Sequence, residues 1–191
     1  HKEYRRQRQM CIRDRSHPCQ IMADIMTIEE EFDSIDGLKI AWFGDSNNVL
    51  NTWIDAAVKF PFSLQIASPN GYRPDKSVID KALDLGAQIS FYENSLEAAA
   101  NANVLVTDVW ISMGDEAGTR LQDLKPYQVN KEVLKCADDK AIFLHCLPAI
   151  RGNEVTAEVI DGSRSRVFDE AENRLYAQKA ILCYLFGDTI I

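Results

Sequence analysis

Short apolar runs alternate with helical stripes of apolar residues along the chain from residue 16 onward. The apolar runs predict six strands, at residues 38–43, 63–68, 88–92, 103–107, 141–146 and 165–168. The stripes predict helices at residues 21–32, 50–58, 75–85, 131–137, 153–160 and 172–186, and Ser95 is expected to cap a further short one. Because strands that alternate with helices form βαβ units, the pattern predicts an α/β fold, with a doubly wound, mostly parallel, Rossmann-like sheet and helices on both faces.

The first fifteen residues differ from everything that follows them. Residues 1–15 are strongly basic, lack periodicity and hold few apolar side chains. A basic arm that binds nucleic acid is one interpretation of such a segment. We favour a non-native or disordered leader, because the helical periodicity begins only after Ser16.

Composition narrows the possible partners and the cellular setting. The chain has 191 residues and a net charge of −8, which disfavours nucleic acid and anionic membrane surfaces as partners. No apolar run approaches the length of a membrane span. The five cysteines are odd in number and show no zinc-type spacing, so we expect a reduced, cytoplasmic protein.

The run from Phe143 to Pro148 places two reactive side chains at the end of a buried strand. Apolar residues lead directly into His145 and Cys146, and Pro148 stops the strand because proline cannot donate to a ladder. Ligands of open α/β sheets bind at the carboxyl ends of strands, which makes these two residues candidates for chemistry. A lone cysteine after an apolar run is, however, more often a small buried hydrophobe.

Polar side chains also follow two other predicted strands. Because right-handed crossovers place the carboxyl ends of parallel strands at one edge, we expect all these groups to lie together. The set comprises Asp45, Asn47 and Asn48 after the first strand, Asp108, Ser112 and Met113 after the fourth, and His145 and Cys146 at the fifth. Amides and backbone N–H groups can bind an α-carboxylate, and Asp108 can hold an ammonium group. The predicted edge therefore suits an amino-acid ligand.

Two alternatives come from the same segments. The loop at residues 44–48 lacks the further glycines of the dinucleotide fingerprint, which disfavours a nucleotide-binding oxidoreductase and leaves a plain strand-to-helix turn as the simpler interpretation. His17 could pair with Cys146 as a thiol–imidazole nucleophile, although nothing else in the sequence indicates a hydrolase. An acidic turn at Glu170 begins the last helix, where Arg174 could form an ion pair with the neighbouring carboxylates.

Taken together, five segments resemble the ornithine carbamoyltransferases. The segments are His17-Pro18-Cys19-Gln20, Gly44-Asp45-Ser46-Asn47-Asn48, residues 108–114, His145-Cys146-Leu147-Pro148 and Glu172-Asn173-Arg174. They occur in the family's order across residues 16–186. The Ser-Met-Gly loop at residues 112–114 separates ornithine enzymes from the aspartate transcarbamoylases that share the fold.

The resemblance implies a reaction and a role for each matched residue. Carbamoyl transfer from carbamoyl phosphate to the δ-amine of L-ornithine would give L-citrulline and phosphate, with no metal and no cofactor. The catalytic residues would be Cys146, Asp108 and Arg174. Ornithine would be held by Asn48, Asp108, Ser112 and Met113, and carbamoyl phosphate by His17, Gln20, Cys146, Leu147 and Arg174.

The resemblance also implies that part of the enzyme lies elsewhere. The family carries an earlier domain with a Ser-Thr-Arg-Thr phosphate loop, which this chain lacks. Residues 16–36 would then form an inter-domain helix and residues 37–191 the ornithine-binding domain. We expect the chain alone to be inactive and its parent to be a homotrimer. Tyr176 stands where the family usually has His, which affects the expected packing near Arg174.

Two further functions remain open at this stage. The chain could act as a non-catalytic amino-acid-binding module, since it lacks the phosphate loop. It could also belong to a transcarbamylase for a related amine such as N-acetylornithine. Asp108 together with the Ser-Met-Gly loop argues against the second possibility, because these residues suit a free amino-acid head.

Overall fold

A five-stranded parallel sheet forms the centre of the computed structural model, which describes residues 16–111 and 118–187. Its strand order is β3-β2-β1-β4-β5, and all four neighbouring pairs are parallel. The strands are β1 (Lys39–Phe43), β2 (Ser63–Ala67), β3 (Gln88–Tyr92), β4 (Val104–Thr107) and β5 (Ile142–His145). The predicted doubly wound α/β fold is therefore confirmed.

Helices cover both faces of this sheet. In the described ranges they are α1 (Pro18–Phe32), α2 (Asn48–Ala57), α3 (Lys76–Asp84), α4 (Ser95–Ala99), α5 (Arg120–Leu124), α6 (Lys131–Cys136), α7 (Ala157–Ile160) and α8 (Val167–Phe186). Two single 3-10 turns lie at Asn70–Tyr72 and Lys125–Tyr127. No helix within residues 16–111 and 118–187 has the length and apolar character needed to cross a bilayer.

The region between β5 and α8 differs from the prediction. The expected sixth strand at residues 165–168 is only an isolated bridge between Ser165 and Phe143, because Val167 already begins α8. Asp169 and Glu170 occupy the first turn of α8, where carboxylates suit the helix dipole. The last helix thus begins five residues before the predicted position 172, and α7 is shorter than the predicted segment 153–160.

The cap of α4 is also not the predicted residue. Asn94 accepts the backbone N–H of Leu96 and caps the helix, whereas Ser95 is its first residue. The Ser95 hydroxyl instead donates to the Pro126 carbonyl at 2.7 Å. A tertiary hydrogen bond thus uses the hydroxyl that the sequence assigned to local capping.

Alternate residues of β1, β4 and β5 fill two separate cores. Ile40 and Trp42 of β1 face one core, which contains buried side chains from α1, α2 and α3. Ala41 and Phe43 face the other, which is completed by residues from α4, α6 and α7. Since both faces are covered, β1 and β4 read as continuous apolar runs rather than as alternating patterns. Because the strands themselves are buried, the polar side chains lie in the segments that follow their carboxyl ends.

The first and last helices of the described chain pack along each other. Buried Asn173 of α8 donates to the Thr27 hydroxyl of α1 at 3.0 Å and to Glu30 at 2.7 Å. The inter-domain role predicted for residues 16–36 remains a prediction, but α1 is firmly attached to this domain.

Several large apolar side chains are exposed on the first and last helices. Large side chains of α8 are exposed, and they lie mainly on its second half: Leu175, Tyr176, Leu182, Tyr184, Leu185 and Phe186. Met22 of α1 is exposed as well. Isolated exposed apolar residues are common, but a series of them on two packed helices is typical of a surface that contacts other protein.

Candidate active site

Polar residues that follow three neighbouring strands lie at one edge of the sheet. β1, β4 and β5 are adjacent and parallel, so the segments that follow them leave the sheet on the same side. Asn47, Asp108 and Cys146 lie after three different strands and are joined by hydrogen bonds. The predicted convergence at the strand ends is confirmed for these residues.

Asp108 is the centre of this group. Its Oδ2 accepts the Asn47 amide at 2.6 Å, and its Oδ1 accepts the Cys146 thiol at 3.1 Å and the Val109 backbone N–H at 2.7 Å. The Oδ1 atom of Asn47 caps α2, which turns the Asn47 amide nitrogen toward Asp108. A helix cap thus fixes one of the donors that hold the carboxylate in place.

The Cys146 thiol is held in its protonated form. Burial raises the pKa of this thiol, and the neighbouring Asp108 carboxylate raises it further. A thiolate nucleophile needs a lowered pKa, so the environment disfavours the thiol–imidazole alternative with His17. His17 itself is the N-cap of α1, and its backbone N–H donates to Thr52 Oγ1 at 2.7 Å.

We expect the Cys146 thiol to react slowly with iodoacetamide at pH 8, because the reactive thiolate is depleted by the raised pKa. Exposed Cys136 provides the control within the same chain, and Cys146 should react more than about tenfold more slowly. Mass spectrometry of peptides quenched at successive times measures both rates. Equal rates for the two cysteines would contradict the assigned environment.

His145 stabilises the turn that carries Cys146 and Leu147. Its Nδ1 accepts the Leu147 backbone N–H at 2.9 Å, and its Nε2 lies 3.3 Å from Glu154 Oε1. Both side chains are fully buried. Leu147 has a positive φ of 53° and precedes a cis peptide bond to Pro148. His145 therefore shapes the loop beside the cleft through its imidazole nitrogens.

A cleft of about 320 Å³ adjoins Cys146. Its lining combines residues from α1, β5 and α8, namely Gln20, His145, Cys146, Glu170, Ala171, Arg174, Leu175 and Gln178. Cys146 and Arg174 thus face the same cavity, and Asp108 is bonded to the first of them. An acid, a thiol and a guanidinium therefore converge, although they are widely separated in the sequence.

Arg174 is tied to the first helix rather than to the carboxylates of its own helix. Its Nη1 donates to Gln20 Oε1 across 154 residues of sequence. The Gln20 amide nitrogen in turn donates to Asp24 Oδ1 at 2.8 Å and to Glu170 Oε1 at 2.6 Å. The expected ion pair of Arg174 with the acidic turn is thus replaced by a hydrogen-bonded relay through Gln20.

The sequence prediction gave two buried carboxyl groups at the cleft no role in the site. Asp24 and Glu170 are each only 1% exposed. Burial raises the pKa of Asp24 to about 7, and burial together with the nearby Asp24 raises the pKa of Glu170 well above its ordinary value. A signal exists in the sequence, since Asp24 lies one turn after Gln20 on the face of α1 that buries Ile21, Ile25 and Ile28.

Arg120 connects three segments of the described chain. Its guanidinium pairs with Asp45, donates to the Trp110 carbonyl and lies 5.3 Å above the Tyr72 ring. The predicted ornithine ligands Ser112 and Met113 fall outside the described residues. Asn48 is the first residue of α2, and its carbonyl accepts the Thr52 hydroxyl at 2.7 Å.

Tyr176, the residue that departs from the family's pattern, lies on the surface of α8. Its hydroxyl donates to Glu172 Oε1 at 3.1 Å, and this hydrogen bond raises the pKa of the Tyr176 phenol. The half-exposed ring is therefore tied to its own helix.

One group of side chains in the described ranges has the composition of a metal site. Donor atoms of Asp108, His145 and Cys146 lie within 4.8 Å of one another. The His145 nitrogens face Leu147 and Glu154, however, and the thiol is protonated and donates to Asp108. Metal binding would have to break these contacts. The absence of a metal cofactor stays a prediction.

Comparison with known proteins identifies related sequences. Residues 36–185 match the family described as "Aspartate/ornithine carbamoyltransferase, Asp/Orn binding domain". The ornithine carbamoyltransferase of Rhodopseudomonas palustris is 53% identical over 174 residues, which cover 91% of this chain and 56% of that protein. That of Brucella abortus is 52% identical over 176 residues. The chain thus spans about half the length of the curated relatives it matches.

Solved structures share the fold at similar coverage. The ornithine carbamoyltransferase of Pyrococcus furiosus superposes with a TM-score of 0.83 at 45% identity, over 89% of this chain and 56% of that one. The ornithine transcarbamoylase of Giardia lamblia gives a TM-score of 0.85 at 33% identity, over 93% and 62%. The chain belongs to the aspartate/ornithine carbamoyltransferase family, within which it matches the aspartate/ornithine-binding domain.

Proposed function

We propose that this chain is the ornithine-binding part of an ornithine carbamoyltransferase. The enzyme would transfer the carbamoyl group of carbamoyl phosphate to the δ-amine of L-ornithine, giving L-citrulline and phosphate. The convergence of Asp108, Cys146 and Arg174 beside one cleft is the observation that carries this proposal. The names of its relatives support the choice of ornithine.

Asp108 is assigned the α-ammonium group of the substrate and, through the Cys146 thiol, the proton that its δ-amine loses. An alkyl ammonium has a pKa near 10.4 in lysine, so the δ-amine must lose a proton before it attacks the carbamoyl carbon. The Asp108 carboxylate is held by three donors, from Asn47, Val109 and Cys146, and is oriented before substrate arrives. It can therefore hold an ammonium group and, with the Cys146 thiol, accept or relay the proton.

Arg174 and Gln20 are assigned the carbamoyl group. Negative charge grows on the carbamoyl oxygen during attack, and oriented N–H donors stabilise it. Arg174 faces the cleft, its Nη1 is held by Gln20, and its Nε has no partner in the described part of the chain. His17 and the turn at Leu147 would complete the carbamoyl site. Positioning and electrostatics are sufficient for this reaction, so we propose no metal and no cofactor.

Phosphate binding is assigned to the part of the longer protein that this chain does not span. Among the described residues that line the cleft, Arg174 carries the one cationic side chain. A phosphate dianion normally requires several donors and cations. The exposed apolar side chains of α8 fit a surface that the unspanned part of the longer protein covers. We propose that the complete enzyme is a cytoplasmic homotrimer.

The test compares this chain with a chimera. The chimera joins the part of the Rhodopseudomonas palustris relative that this chain does not match to residues 16–191. We expect citrulline from carbamoyl phosphate and ornithine with the chimera and none with the chain alone. Citrulline formation by the chain alone would contradict the assignment of phosphate binding. A chimera that carbamoylates N-acetylornithine or aspartate in preference to ornithine would contradict the substrate.

A non-catalytic amino-acid-binding module is the second candidate for the chain by itself. The cleft lining that the structure describes holds a single cation, Arg174, and this favours the module because an amino-acid head needs less positive charge than carbamoyl phosphate. Calorimetry with ornithine and with norvaline on the isolated chain separates the two candidates. Binding without turnover, in a chain whose chimera is also inactive, would favour the module.

A further inference from the structure

Two buried carboxyl groups meet beneath the cleft, where α1 packs on α8. Asp24 and Glu170 are within hydrogen-bond reach of each other and are each 1% exposed. Two ionised carboxylates cannot remain adjacent at low dielectric, so such a pair retains a proton. We refer to Asp24 and Glu170 as the carboxyl pair.

The carboxyl pair fixes the orientation of the Gln20 side chain. Gln20 Nε2 donates to Asp24 Oδ1 at 2.8 Å and to Glu170 Oε1 at 2.6 Å, which uses both of its hydrogens. A flipped amide would point its carbonyl at two carboxyl oxygens. The Gln20 carbonyl is consequently directed at Arg174, whose Nη1 donates to it.

Glu170 also supports the opposite wall of the cleft. Its Oε2 accepts the His145 backbone N–H at 2.9 Å, one residue before Cys146. A single buried carboxyl group thus contacts both the strand end that carries the thiol and the amide that holds the guanidinium.

We propose that the carboxyl pair acts as a proton-sharing positioning element, which holds Gln20, and through it Arg174, in the geometry that receives the carbamoyl group. The catalytic purpose rests on the proposed function, whereas the positioning itself is measured on this chain alone. The titratable or charged groups that face the pair are Arg174 on α8, Asp108 after β4, and His145 and Cys146 at the end of β5.

The hydrogen-bond pattern predicts that replacing the carboxyl group with an amide has a different effect at Asp24 and at Glu170. Asp24 accepts from Gln20 and contacts Glu170, and an Asn can satisfy both contacts with its carbonyl and its amide nitrogen. Glu170 accepts N–H donors at both oxygens, and a Gln offers one acceptor only. Asp24→Asn should therefore preserve the relay, and Glu170→Gln should break it.

Nitrogen-15 NMR of the full chain tests the relay. Restricted rotation should give separate Arg174 Nη1 and Nη2 resonances and slow exchange of the Gln20 amide hydrogens in the wild type, in Asp24→Asn and in the exposed control Glu172→Gln. Glu170→Gln should merge the Arg174 resonances and speed Gln20 exchange about tenfold or more. A folded Glu170→Gln variant with unchanged Arg174 and Gln20 signals would overturn the proposal.

Titration gives a second measurement that does not depend on the folding of Glu170→Gln. The pKa of Asp24 is about 7 in the folded state against an ordinary 3.8. Between these two pH values the folded state therefore binds more protons than the unfolded state, and the free energy of unfolding falls as pH rises. From pH 5 to pH 8, the unfolding equilibrium constant should rise at least about tenfold more in the wild type than in Asp24→Asn.

The carbon-13 chemical shifts of the carboxyl groups show whether the pH dependence of unfolding comes from the carboxyl pair. Asp24 and Glu170 should titrate together in the wild type, well above pH 5. Independent titration of both groups below pH 5, or an equal pH dependence of unfolding in Asp24→Asn, would overturn the shared proton. An inactive chimera with all these signals present would instead reject the proposed function and leave the positioning element intact.

Discussion

In the chimeric enzyme, replacing Asp108 with Asn is expected to lower kcat for citrulline formation by about 10²–10⁴-fold, the usual contribution of a positioned proton acceptor. The Asp108 carboxylate receives donors from Asn47, Val109 and Cys146. An amide removes the negative charge and turns an N–H group toward at least one of these donors. Steady-state kinetics at saturating carbamoyl phosphate measure the effect.

Asp161→Asn is the matched control for that experiment. Asp161 forms an exposed ion pair with Arg151 away from the cleft, and exposed pairs contribute little. The kcat of this variant should remain within about twofold of the parent value, since an exposed ion pair contributes little and this one has no part in the proposed chemistry. If Asp108→Asn were as active as Asp161→Asn, Asp108 would not be the group that handles the amine.

The second large effect is expected on stability, at the turn beside Cys146. Replacing Glu154 with Leu should lower the free energy of unfolding by about 1–3 kcal/mol, because it leaves the Ile150 backbone N–H, 2.5 Å from Glu154 Oε1, without its partner. It also removes the carboxylate that lies 3.3 Å from the His145 imidazole. Urea unfolding followed by circular dichroism gives the difference.

Glu154→Gln separates lost hydrogen bonding from lost packing. Within the described residues Glu154 Oε2 has no hydrogen-bond partner, so an amide nitrogen placed there breaks no bond while the carbonyl still accepts the Ile150 backbone N–H. This variant should lose less than about 1 kcal/mol. Equal destabilisation by Leu and by Gln would show that the hydrogen bond from Ile150 to Glu154 does not support the turn.

Most of the sheet was predictable because its strands are buried on both faces. Continuous apolar runs that end at Gly, Asp or Pro marked β1, β4 and β5, and their parallel arrangement followed from the helices between them. The segment at residues 165–168 was not predictable from its own pattern. Its bridge to Phe143 and its entry into α8 depend on where α8 packs.

The site was predictable to the extent that it lies at strand ends. Asp108 and Cys146 each follow a strand, and sheet topology alone brings them together. Gln20 and Arg174 are 154 residues apart on two helices, so only the resemblance to a family pointed to them. Asp24 and Glu170 were not assigned to the site, because an acidic residue on an amphipathic helix is usually exposed. Their burial results from the packing of α1 on α8.

A crystal structure of the chimera with carbamoyl phosphate and norvaline, an unreactive analogue of ornithine, tests most directly whether Asp108, Cys146 and Arg174 serve one substrate cleft. The amino-acid head should bind at the strand ends with its ammonium group within about 3.2 Å of the Asp108 carboxylate, the ordinary limit for such a hydrogen bond. The carbamoyl group should lie between Cys146 and Arg174. Norvaline bound away from Asp108, or a carbamoyl group without contact to Arg174, would contradict the assignment of this cleft.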